Sequence, residues 1–217
     1  MSAIITTFLN KKDNAEKIRD QIAAIIALEC ANQYSLAQAA GAADADDFNI
    51  SAYIENARPW EVTDEKESSP FPLVNVSLEK IVSDIGSNAS NCQKFTGFYN
   101  IDCYGCGNIV DELGDDRNAA LNAWKVARIV RNIIGAGEYT YLGLRKVDGV
   151  QCVCSRKIEK IETGATANMA ETAIAVLIAR MTLSVVFYES SPQADGVEME
   201  PMTFTCKDST GKVLIDF

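Results

Sequence analysis

Residues 115–134 read DDRNAALNAWKVARIVRNII, and this stretch decides the fold class. Wound at about 100° per residue, Ala119, Ala123, Val126, Val130 and Ile133 fall on one stripe, the pattern of a helix that buries a single face. Asp115 or Asp116 is placed to cap its start, and Arg128 and Arg131 lie toward the negative end of the helix dipole. Gly135 is placed for a left-handed stop. Leu121 and Trp124 lie off the buried stripe and project from the opposite side, interleaved with Arg117, Arg128 and Arg131. An apolar pair flanked by arginines on a solvent face has the composition of an interface centre. The competing reading is that another segment of the chain folds over the pair.

Outward from this helix, the chain supplies strands. Upstream, Pro70-Phe71-Pro72 leads into Leu73-Val74-Asn75-Val76-Ser77-Leu78, whose alternation is the period of a half-buried strand. A turn-rich stretch, residues 86–91, precedes a second strand over 95–106, in which Phe98 and Tyr99 favour β structure. Gly105, Gly107 and Gly114 punctuate its end. Downstream, residues 139–147 and 149–162 read as strands, and 165–177 suits a helix. Residues 182–189 alternate Leu183, Val185 and Phe187 with Ser184, Val186 and Tyr188, a further strand.

The remaining segments frame this core. Residues 7–33 read as a first helix, with Asp13 and Glu16 at capping-box spacing and Ile18, Ile22, Ile25 and Ile26 on one face. Residues 35–69 form a long excursion, rich in Ala and Asp, with one short strand expected near 48–54. Trp60 lies in it and must bury its ring, either on its own domain or on a partner. At the other end, residues 202–207 and 212–217 flank a Gly-containing turn, the grammar of a β-hairpin. Phe204 and Leu214 are its candidate docking residues, because an isolated hairpin is only marginally stable. The expected fold is α+β in two layers: a small, mainly antiparallel sheet flanked by two main helices. One domain spans residues 1–191, with a hairpin arm over 192–217.

Composition narrows the function. Apolar residues make up 47% of the 217, enough for a packed core. No apolar run reaches membrane-spanning length and the first nine residues lack the zones of a secretory signal, so cytoplasmic synthesis and no membrane partner are expected. Twenty basic against thirty acidic residues leave a net charge of −10, which argues against tight binding of nucleic acid but suits a passage through which DNA moves without being gripped. There is no histidine, which removes the usual general base and the commonest metal ligand, so no enzyme activity and no cofactor are expected.

Seven cysteines include Cys103-x-x-Cys106 and Cys152-x-Cys154. Together these four offer a structural zinc site, though their spacing departs from the usual paired knuckles. Buried core thiols are the simpler reading.

Taken in order, the N-terminal helix, the Pro-led strand Phe71-Pro72-Leu73-Val74-Asn75-Val76, a strand ending in Gly, the long helix with a late arginine (Ala119 to Ile134), a strand, and a closing strand ending Val186-Phe187-Tyr188-Glu189 resemble the tail-terminator, or tail-completion, proteins of long-tailed bacteriophages. The resemblance covers roughly residues 70–190 plus the first helix. It implies a structural virion protein, made in the host cytoplasm, of which six copies form a ring at the tail–neck junction. Such a ring caps the tail tube (and the sheath where there is one), meets a neck or connector protein and lets DNA pass. Another neck, connector or tube subunit is the neighbouring possibility, and a zinc-stabilised binding module is the alternative of a different class. The excursion at 35–69 and the arm beyond residue 192 are additions to the family pattern.

Overall fold

The computed structural model describes residues 12–56, 59, 72–89, 92–107, 116–147, 150–165, 175–190, 205–207 and 213–216. The chain divides into a larger unit, Lys12–Glu189, and a smaller one made of its two terminal segments.

The larger unit is two helices packed on a five-stranded, mostly antiparallel open sheet, an α+β two-layer fold. The elements run α1 (Asn14–Ala39), β1 (Ser51–Ile54), β2 (Leu73–Ala89), β3 (Cys92–Gly107), α2 (Asp116–Gly135), β4 (Lys146–Val147), β5 (Val150–Gln151), β6 (Val153–Ala165) and β7 (Ala175–Ser190). The sheet order is β1-β2-β3-β7-β6, and β4 and β5 form a separate two-stranded pair. Only β1 runs parallel to its neighbour, pairing Ser51 with Leu73 through Ile54 with Val76. The smaller unit holds an antiparallel hairpin, β8 (Thr205–Lys207) with β9 (Val213–Asp216).

Pairing explains which residues meet the helices. Directly opposed residues share a face, so Val74 with Cys103 and Val76 with Ile101 lie together, followed by Tyr99. On β7 the same face carries Ala179, Met181, Leu183, Val185 and Phe187, all fully buried. Ile18, Ile22, Ile25 and Ile26 of α1 and Ala123, Val126, Val130 and Ile133 of the α2 stripe close over it in one core, and Ala119 of the same stripe is fully buried. Tyr99 buries its ring there and donates its hydroxyl to the Ala15 carbonyl, 3.1 Å away. At the far end of β7, Glu189 accepts a 2.7 Å hydrogen bond from the Asn14 amide, and the Asn14 side chain donates to the Tyr188 carbonyl. These two bonds fasten the start of α1 to the sheet.

The opposite face of the sheet carries a polar ladder. Arg180 clasps Asp102 with two bonds of 2.6 and 2.8 Å, and Thr182 donates to Asn100. Ser184 donates to Glu159, which also accepts from Lys157, and Lys160 pairs with Glu162. Lys80 stands 4.8 Å above the Phe98 ring.

Several expected boundaries move. The α1 cap forms as expected, with the Asp13 and Glu16 bonds of a capping box both present. Lys12 and Asp13 are not helical, however, and the helix runs on to Ala39, six residues past the expected end. It stops through Gly41, which is left-handed (φ +66°): the Gly41 amide donates to Gln38 and the Ala42 amide to Ala37, a Schellman arrangement. The left-handed stop expected at Gly135 is absent, since that residue is the last of α2 and lacks a positive φ. The expected turn at 86–91 shrinks, because β2 and β3 stay paired out to Ala89 with Cys92. Of residues 139–147 only Lys146 and Val147 are strand, as β4; before them a 3₁₀ turn (Gly137–Tyr139) leads into further turns, held where the Arg156 guanidinium donates to the carbonyls of Ala136 and Tyr139. Ala165 and Ala175–Leu177, read as helix, are strand ends of β6 and β7.

Candidate assembly surface on the second helix

Close approach sets the position of α2. A Cβ built on Gly105 would stand 2.2 Å from the Ala123 amide nitrogen and 2.5 Å from the Ala119 carbonyl oxygen. Only glycine admits the helix backbone there, with alanines facing it. The Asn122 side chain donates to the Cys106 carbonyl at 2.8 Å, and Lys125 reaches Asp47 in the 3₁₀ turn Ala45–Phe48 at 2.5 Å. One face of α2 is therefore pinned to β3 and one flank to that turn.

The remaining face is free. Arg117, Leu121, Trp124, Arg128 and Arg131 are all exposed and follow one another at spacings of four, three, four and three. That is the repeat of a helix seam, and over fourteen residues it runs about 21 Å. Leu121 is 58% exposed and Trp124 42%, so neither is covered by another described part of the chain; residues 60–69 of the excursion lie outside the described residues. Among the described residues none of the three arginines forms an ion pair, whereas Arg19, Arg180 and Lys125 all do. Two large apolar side chains and three uncommitted guanidinium groups thus stand on one line of a rigid helix, on a chain whose net charge is −10.

The other expected site residues fare differently. Trp60 and Phe204 lie outside the described residues, and Leu214 falls on β9 in the smaller unit. The four cysteines offered for zinc are not brought together: among the described residues no group of three or more metal-ligating side chains converges. The reason is local. Cys103 and Cys106 are three apart on one strand and so point to opposite faces, and Cys103 is sealed in the core beneath the helices. Burial pushes the Cys30 thiol up to about 12, raises that of Cys103 further, and lifts Cys152 to about 11. Burial thus favours the protonated thiol in all three.

A cleft that residue patterns did not suggest opens beside the seam, where α1, α2 and the two 3₁₀ turns meet. Its volume is about 420 Å³, and its walls include Glu29, Gln33, Phe48, Ile129, Glu138 and Tyr139. The Tyr139 hydroxyl donates to Glu29 across it, and that bond raises the phenol above its ordinary range. No lysine or arginine lines the cleft among the described residues.

No helix among the described residues is long and apolar enough to cross a membrane. No family model matches the chain, and no curated protein matches it.

Proposed function

We propose that this protein is a structural subunit that assembles with copies of itself into a ring at the tail–neck junction of a virion. In this reading the ring, of six copies, ends the tail tube and meets the neck. The observation that carries it is the exposed α2 seam, with Leu121 and Trp124 set among three arginines that form no ion pair among the described residues. Aromatic and arginine side chains of this kind dominate the energetics of protein interfaces, and an acidic chain displaying a basic, apolar line is suited to meeting its own kind. The element order quoted from the sequence supports the tail-terminator family in particular, and the two-layer fold suits a compact ring subunit.

Native mass spectrometry of the purified chain tests the proposal. A discrete closed oligomer, six-fold on this reading, is the expected result, and it should disappear in Trp124→Asp. A chain that stays monomeric at the highest attainable concentration, and stays so when tail tubes are added, would overturn it.

A further inference from the structure

We infer that the acidic cleft between α1 and α2 is the receptor for the basic seam on α2 of a second copy, so that copies join head to tail. This inference rests on the self-assembly reading and adds which surface meets which.

The argument starts from what the seam refuses. If two seams packed on each other in antiparallel fashion about Trp124, Arg117 of one copy would oppose Arg131 of the other, seven residues to either side. In a parallel pairing each arginine would face its own counterpart. Like charges set opposite each other in an interface disfavour it strongly. A two-fold contact of seam on seam is thus disfavoured by its own charges, and a different surface of the second copy is the better match.

The cleft has the complementary chemistry. Its ionisable side chains are Glu29, Glu138 and Tyr139, with no cation among the described lining residues. Phe48 and Ile129 give it apolar walls, and Gln33 adds a neutral hydrogen-bonding group. At about 420 Å³ it lies within the roughly 300–1,000 Å³ typical of sites that enclose an aromatic group with a polar tail. On α1 the approach is extended by Leu36, one turn beyond Gln33 on the same side of the helix and 56% exposed. A tryptophan flanked by arginines therefore finds an apolar slot rimmed by carboxylates. Because seam and cleft are different patches, the contact is heterologous, and a repeated heterologous contact closes into a ring or runs on as a helix. A closed ring at a tube end needs a contact of this type, whereas a two-fold patch stops at a dimer.

Mixing two half-blocked variants tests the pairing. The first removes the seam (Leu121→Ser, Trp124→Ser, Arg128→Ser) and keeps the cleft. The second reverses the cleft (Gln33→Lys, Glu138→Lys) and keeps the seam. All five positions are at or near the surface, and thermal melts matching the parent confirm that each variant folds. Each alone is expected to lose every species above monomer. Mixed, they should form a 1:1 heterodimer and stop there, with Trp124 emission of the second variant moving to shorter wavelength. If the parent assembles but the mixture stays monomeric, the seam–cleft pairing is wrong while the assembly reading stands. Self-association of the second variant alone would show seam meeting seam, and of the first alone cleft meeting cleft; either overturns the inference. A parent that never assembles removes both readings together.

Discussion

Gly105 of β3 lies under Ala123 of α2 with no room for a side chain between them: a Cβ at 105 would sit 2.2 Å from the Ala123 nitrogen. The obstructing atoms are helix backbone, which cannot rotate away. Gly105→Ala should therefore lift α2 from the sheet and lower stability by roughly 1–3 kcal/mol, the usual range for overpacking. Urea unfolding gives the value; a loss within error of zero would mean the helix can shift without cost.

Asp102 is only 4% exposed on the helix-free face of the sheet, and its carboxylate is held by Arg180. Removing the arginine leaves a buried anion without its partner, whereas removing both charges does not. Arg180→Met should cost about 1–3 kcal/mol, the penalty of leaving a buried polar group unpaired, reduced by the partial exposure of the arginine. The double variant Asp102→Asn with Arg180→Met should recover part of that loss. A double variant worse than the single would contradict the account.

Burial raises the Glu189 carboxyl above the ordinary glutamate range, while the hydrogen bond from the Asn14 amide acts in the opposite sense. Between the unfolded value, about 4.3, and the raised folded value, the folded state holds a proton that the unfolded state has released. Stability should fall as pH rises through that window, and the cost should persist at neutral pH. Glu189→Gln should accordingly gain stability at pH 7 and show no gain at pH 3.5, where both states are protonated. Denaturant titrations at the two pH values check the sign.

The proposed seam–cleft contact sets three arginines against carboxylates and should respond to salt. Screening contracts from about 10 Å at 0.1 M to about 3 Å at 1 M, so the oligomer should weaken on that step while the monomer's melt barely moves. Sedimentation at the two salt concentrations distinguishes this from a purely apolar contact, which salt would leave intact or strengthen.

Thiol labelling offers an independent check of the core. Cys30 and Cys103 are fully buried, and burial keeps both protonated at neutral pH. In the folded chain at pH 8 both should react far more slowly than the half-buried Cys92 and Cys106. Equal rates would place the helices off the sheet.

The sequence was most legible where a single face is buried and periodicity records it. The α2 stripe, the alternation at Leu73–Val76 and at Leu183–Phe187, and the Asp13 cap all follow from such local rules. Long-range partners were less visible. β2 continues through Lys80 and Ser83, polar residues that become strand because Phe98 and Phe95 of β3 pair with them. Tyr139 and Tyr141 give the start of 139–147 the aromatic content of a strand, yet Arg156 binds the carbonyls of Ala136 and Tyr139 where the chain turns. Gly105 reads in the sequence as punctuation at a strand end, although a lone glycine inside a strand pattern also marks close backbone approach. Of the site, the outward placement of Leu121 and Trp124 was readable from helical phase. The cleft was not, because its walls bring α1 and the 3₁₀ turn that follows it against α2 and the turn beyond, two segments far apart in sequence.

The bare face of the sheet has a consequence of its own. Each described cation there already sits beside a carboxylate: Arg180 with Asp102, Lys157 with Glu159, Lys160 with Glu162, and Lys80 with Glu79. Charges so closely paired cancel within a few ångströms, and their field dies away faster than that of separate ions. At a distance this layer behaves as a neutral dielectric, not as a charged plate. A polyanion moving past it would feel neither a pull that arrests it nor a barrier that turns it back.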